Sequence, residues 1–256
     1  MNKTVQVKGL DIGLDRPKIC VPLVGRTTDE LVIASKKITT YDIDLVEWRV
    51  DFFQEVEQLD QVKKTLVKLR SVISKVPILF TFRTAKEGGE KAISDEYYLE
   101  LNKEIMQTGQ IDLVDIELYT PAPIREQLLK KAQLYDVKTI VSNHDFDKTP
   151  PKEEIIARLQ QAEVLGADIS KIAVMPNKPH DVLTLLSATE EMHRIHTNIP
   201  IITMAMGGMG LISRLSGELF GSCLTFAAVD QTSAPGQVSV NELLPILNII
   251  NKNIGN

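Results

Sequence analysis

KTIVSNHD (residues 138–145), PKEEIIARLQQAEVLGA (151–167) and ISKIAVMP (169–176) follow one another with almost nothing between them. The outer two have strand length and are rich in β-branched residues. The middle one carries a proline and acidic residues in its first turn and Gly166 near its end, the marks of a helix start and stop. Strand, helix and strand at this spacing predict two parallel strands joined by a helical crossover. The same rhythm extends both ways along the chain, through KICVPLVG (18–25), LVEWRVD (45–51), ILFTFR (78–83), IDLVDIEL (111–118), PIITMAMG (200–207) and LTFAAVD (224–230). Between these runs lie helical segments such as TDELVIASKKI (28–38), with Thr28 or Asp29 as its N-cap, and VNELLPILNII (240–250) follows the last.

Eight such units in a chain of this length predict an α/β protein of the (β/α)8 TIM-barrel type, one domain spanning residues 1–256. An open, doubly wound sheet is the alternative, but it would carry a phosphate-binding GxGxxG after an early strand, and none follows the first run. TVQVKGLDIGLDRP (4–17) reads as a hairpin over about residues 4–16, with Val5 and Val7 alternating and turns at Gly9 and Gly13. It is placed to close the bottom of the barrel.

The 256 residues are 43% hydrophobic and 25% charged, and carry a net charge of -5. That is the profile of a globular domain with a real core, and it argues against nucleic-acid binding. No apolar run approaches the ~20 residues of a membrane span, and MNKTVQVKGL has no apolar signal core, so a cytoplasmic protein is expected. Cys20 and Cys223 form no CxxC pair and read as reduced thiols.

Strand alternation assigns polar residues to one face. Glu47, Arg49 and Asp51 oppose Val46, Trp48 and Val50; Thr81 and Arg83 oppose Phe80 and Phe82; Asp115 and Glu117 oppose Val114, Ile116 and Leu118. Ser142 pairs with His144, and Lys171 with Ala173 and Met175. The apolar faces must pack under helices, so five successive strands aim ionisable groups inward. Barrel interiors are normally apolar, and buried charge costs several kcal/mol unless paired. A mixture of carboxylates, arginines, a lysine and a histidine there points to an active site, with Asp115 equally readable as an internal pairing partner.

Lys171 lies among Ile169, Ile172 and Val174. Burial and neighbouring cations disfavour a charged ammonium, and a neutral amine attacks ketones to form imines. The competing reading is a lysine snorkelling from a strand end. His144 ends its strand on the inward face, next in strand order to Lys171, and imidazole titrates where proton transfer at neutral pH needs it. MGGMG (206–210) with Arg214 beyond it suits an anion, carboxylate or phosphate. His193 and His196 are three apart, but no acidic or thiol partner is evident in the sequence, so no metal is expected there.

EWRVD (47–51), FRTAKEGGE (82–90), SNHDF (142–146), SKIAVMP (170–176), MGGMGLISR (206–214) and SAPGQ (233–237), in this order, resemble the type I 3-dehydroquinate dehydratases from the first strand to the last helix. The resemblance implies a (β/α)8 barrel, usually a homodimer and free of metal and cofactor, that converts 3-dehydroquinate to 3-dehydroshikimate in the shikimate pathway. It implies that Lys171 is the Schiff-base lysine, His144 the general acid/base and Glu87 the acid that pairs with that histidine. It further implies that Glu47, Arg49 and Arg83 hold ring hydroxyls, that Arg214, Ser233 and Gln237 hold the substrate carboxylate, and that Met204 lines the pocket. Two rival readings stay open. A Schiff-base aldolase would share the strand lysine but act on a phosphorylated sugar, and a non-catalytic barrel binding a small acid would need no reactive amine.

Overall fold

A computed structural model describes residues 3–229 and 233–254. Every one of the eight apolar runs becomes a strand. After the hairpin β1 (Val5–Val7) and β2 (Leu10–Ile12) come β3 (Lys18–Leu23), β4 (Leu45–Arg49), β5 (Ile78–Thr81), β6 (Leu113–Glu117), β7 (Lys138–Asp145), β8 (Ile169–Val174), β9 (Ile201–Ala205) and β10 (Leu224–Ala228). β3 to β9 pair in sequence order, all parallel, and β10 pairs with β3. The ring closes where Ile201 bridges Ser222 and the Cys223 N–H donates to the Ile201 carbonyl at 2.9 Å. A two-residue strand, β11 (Val238–Ser239), adds to the end of β10. Asp230, the last residue of the eighth run, lies outside the described residues.

The helices form the outer layer: α1 (Thr28–Ile38), α2 (Leu59–Val72), α3 (Asp95–Gln107), α4 (Ala122–Leu134), α5 (Lys152–Val164), α6 (Pro179–Glu191), α7 (Leu211–Leu215), α8 (Gly217–Phe220) and α9 (Val240–Ile254). The cap of α1 is Thr27, one residue earlier than the sequence predicts, because its hydroxyl accepts the Glu30 N–H. The outward strand residues Val46, Trp48, Ile78, Phe80, Val114 and Ile116 pack with helix side chains such as Leu66, Leu101 and Leu128 into the main core.

What positions the site is the inner face. Each strand contributes one apolar inward residue to a common floor: Cys20, Leu45, Leu79, Leu113, Ile140, Ile169, Ile202 and Leu224. Val7 and Ile12 of the hairpin join that cluster, so the hairpin seals the bottom of the barrel. One pleat higher, the inward positions are Pro22, Glu47, Thr81, Asp115, Ser142, Lys171, Met204 and Phe226, all buried. The polar tier therefore rests on an apolar floor and faces the C-terminal mouth, where barrels of this kind carry their chemistry.

Candidate active site

Arg83 holds the polar tier together. β5 ends at Thr81, so Arg83 stands just beyond the strand, where its guanidinium turns back over the interior. Nη2 meets Asp115 Oδ1 at 2.8 Å, and Nη1 donates to Glu117 Oε1 at 2.9 Å and to Ser142 Oγ at 3.1 Å. Burial alone would pull this guanidinium down, but Asp115, Glu117, Glu87 and Glu47 more than offset it, so its pKa is held well above the ordinary value. Burial likewise pushes the Asp115 carboxyl up, and Arg83, Lys171 and the Ser142 hydroxyl outweigh it, leaving it below the usual carboxylate range. Asp115 is thus an ionised internal partner, the structural option that the sequence left open.

Lys171 rises from the middle of β8, its side chain only 4% exposed. Nζ lies 3.4 Å from Asp115 Oδ2 and 4.6 Å from the centroid of the Phe226 ring. On the far side of the barrel, Glu47 of β4 accepts the Thr81 hydroxyl of β5 at 2.9 Å. Arg49 is clamped by Asp51, Nε to Oδ1 and Nη2 to Oδ2, both at 2.8 Å. Asp51 is not on the strand, as the alternation predicts, but in a 3-10 turn, Val50–Phe52; leaving the strand after Arg49 lets the carboxylate curl back to grip the guanidinium in a fork.

His144 projects from the upper end of β7 over the same space. Glu87, on a 3-10 turn at Ala85–Glu87, brings Oε2 to 2.8 Å from His144 Nδ1 and accepts the backbone N–H of His144 at 3.0 Å. Burial, then the charges of Arg83, Lys171 and Arg49, keep the imidazole pKa well below its ordinary value. Burial raises the Glu87 carboxyl to about 8, against the pull of Arg83 and Asn143, with Glu117 and Asp115 adding to the rise. The two groups meet at one hydrogen bond, so their titrations belong to the pair rather than to either residue.

Arg214 is 2% exposed and stands apart from the carboxylates. Its guanidinium donates to the Pro235 carbonyl at 3.1 Å, approaches Met204 Sδ at 3.7 Å, and leaves Nε without a partner. Among the described residues no carboxylate pairs with it, and burial lowers its pKa to about 10. Over it lies the segment 233–237. Ser233 N–H donates to Gln237 Oε1 at 2.9 Å, Gln237 Nε2 donates to Ser233 Oγ at 3.1 Å, and Gly207 N–H donates to the Pro235 carbonyl at 3.1 Å. Gly236 has φ +79°, and a Cβ there would sit 2.3 Å from the Gly207 oxygen.

One cavity is lined by all ten residues singled out in the sequence: Glu47, Arg49, Arg83, Glu87, His144, Lys171, Met204, Arg214, Ser233 and Gln237. Its walls also include Phe226, Met206, Phe146 and Gly88, which sequence reasoning did not single out as lining. Strand alternation carried the signal for Phe226, since Leu224 is two residues before it on the inward face, but LTFAA is apolar throughout and does not say which face is which. His193 and His196 lie elsewhere, on a π-helical turn after α6, where His196 meets Glu191 at 3.3 Å. Among the described residues no group of three or more His, Cys, Asp or Glu side chains could hold a metal ion.

A closed eight-stranded barrel with a charged cavity at its C-terminal mouth defines a (β/α)8-barrel enzyme. The type I 3-dehydroquinase model matches residues 19–254, and the chain belongs to that family. It is 52% identical over 254 residues to the 3-dehydroquinate dehydratase of Clostridioides difficile (strain 630), covering 99% of this chain and all of that one. The crystal structure of the type I enzyme from Clostridium difficile with covalent modified comenic acid superposes with a TM-score of 0.96 over 98% of this chain and 99% of that one, at 52% identity. The enzyme from Geobacillus kaustophilus HTA426 gives a TM-score of 0.96 over 99% of both chains at 41% identity.

Proposed function

We propose that this enzyme dehydrates 3-dehydroquinate to 3-dehydroshikimate through an imine on Lys171, as a step of the shikimate pathway. The observation that carries the reading is Arg214, a buried guanidinium with no carboxylate counter-charge among the described residues, in one cavity with a strand lysine and a carboxylate-bound histidine. A buried cation without a partner is costly, and an anionic substrate removes that cost. Ser233 and Gln237 beside it are neutral donors and acceptors, suited to a single carboxylate rather than a phosphate.

The Lys171 amine attacks the C3 ketone and water leaves, forming an iminium. The iminium draws electron density from C2, so the C2 proton becomes acidic. His144, kept neutral by burial and by the surrounding cations, takes that proton. The C1 hydroxyl then departs with the proton returned by His144, and water hydrolyses the product imine to release Lys171. Glu87 orients the imidazole through Nδ1, leaving Nε2 to face the substrate. Glu47, Arg49 and Arg83 hold the ring hydroxyls; because most of the Arg83 guanidinium is already bonded to protein, it also sets the arrangement of the polar tier. Met204 packs on the ring. Segment 233–237 closes over the bound acid and excludes bulk water. No step requires a metal or a redox cofactor. The enzyme is further proposed to work as a cytoplasmic homodimer, for which sedimentation of the purified protein is the check.

Purified protein mixed with 3-dehydroquinate should generate the ultraviolet absorbance of the conjugated product. No absorbance at high enzyme concentration, with folded protein, would reject this substrate and leave the aldolase and binding-protein readings.

A further inference from the structure

Asn143 sits between two inward residues of β7, so it alternates to the outer side of the barrel, toward α5. There Arg158 of α5 donates from Nη1 to Asn143 Oδ1 at 2.8 Å. On its other side, Asn143 Nδ2 donates to Glu87 Oε1 at 3.2 Å, and Glu87 Oε2 holds His144. A guanidinium has donors only, so it accepts just one orientation of the amide: oxygen toward Arg158, N–H toward Glu87. We infer that Arg158 is a positioning residue for the reaction, fixing from the helix layer the amide that keeps an N–H donor on Glu87 and so sets the proton on His144. This rests on the reading of His144 as the acid/base.

The alternative orientation has a definite consequence. Without Arg158 the Asn143 amide is free to rotate, and its oxygen would then face a Glu87 carboxylate oxygen, which favours the protonated acid. Other charges around Glu87 are Arg83 at 3.6 Å, with Glu117 and Asp115 from β6, and Lys171 and Arg49 act on His144. None of these touches Arg158. Arg158 itself also meets Asp145 at 3.6 Å, Glu154 on its own helix, and the face of Tyr119 at 5.9 Å. Asp145 is the competing route, because it neighbours His144 in the chain.

The test follows the ring nitrogens of His144 by 15N NMR across pH, together with the pH dependence of kcat/KM, in Arg158→Met, Arg158→Lys, Asn143→Ala and the Arg158→Met/Asn143→Ala double variant. In Arg158→Met the ionisation of the His144–Glu87 pair should move to higher pH by about one unit, with turnover at neutral pH down several-fold and KM little changed. Arg158→Lys, which retains a donor, should return most of the shift. In the Asn143→Ala background, Arg158→Met should have no further effect. A wild-type titration in Arg158→Met, or a shift that persists without Asn143, overturns the inference; the latter assigns the effect to Asp145. A moved titration together with near-normal turnover in His144→Ala would leave the relay standing and reject the catalytic reading instead.

Discussion

Glu87 Oε2 sits 2.8 Å from His144 Nδ1 while accepting the backbone N–H of the same residue. The two contacts lock ring and strand to one carboxylate oxygen. They also couple two titrations whose directions oppose: burial lifts the acid and lowers the base.

Glu87→Gln should therefore erase the ionisation near 8 from the kcat/KM profile and lower kcat by about 10²-fold. The stability sign is also fixed. A carboxyl whose folded pKa is raised contributes stability below its unfolded value, ~4.3, and loses it as pH rises to about 8. The melting temperature of Glu87→Gln minus that of wild type should grow between these limits and then level off. A profile with the same limb near 8 would assign that ionisation elsewhere.

His144→Ala should keep forming the imine yet turn over ~10²–10⁴-fold more slowly. Single-turnover mixing followed by mass spectrometry separates the two steps. Turnover within a few-fold of wild type contradicts the assignment.

Arg214→Met removes the guanidinium that no carboxylate pairs with among the described residues. Charge-assisted contacts of this kind are worth about 2–5 kcal/mol, so kcat/KM should fall roughly 30-fold to several-thousand-fold. Folding should not suffer, because the lost charge was buried at a cost. A melting temperature well below wild type would mean that Arg214 is structural.

Gly236→Ala puts a methyl group against the Gly207 carbonyl at a left-handed position. The segment should then fail to close. KM should rise at least tenfold with the melting temperature nearly unchanged, and Gln237→Ala, which unties Ser233, should act in the same direction. Unaltered kinetics in both would reduce the segment to a surface turn.

How much of this was legible in the sequence depends on the kind of backbone. Strands declare themselves: all eight runs and the hairpin are where the alternation places them, and so are Glu47, Asp115, His144 and Lys171. Turns do not. Asp51 continues the period of LVEWRVD but belongs to a 3-10 turn, because its bonds to Arg49 outweigh continued pairing. Glu87 stands on a turn with no periodicity at all, and only the family resemblance singled it out. Asn143 was hidden for the opposite reason: it faces outward on its strand, where alternation predicts packing rather than support of the site.

The central claim is that Lys171 is the nucleophile. Borohydride added to enzyme and 3-dehydroquinate should attach one reduced ligand per chain, and peptide mapping should find it on Lys171, with no adduct in Lys171→Ala. An adduct on another lysine, or normal turnover by Lys171→Ala, would contradict the account.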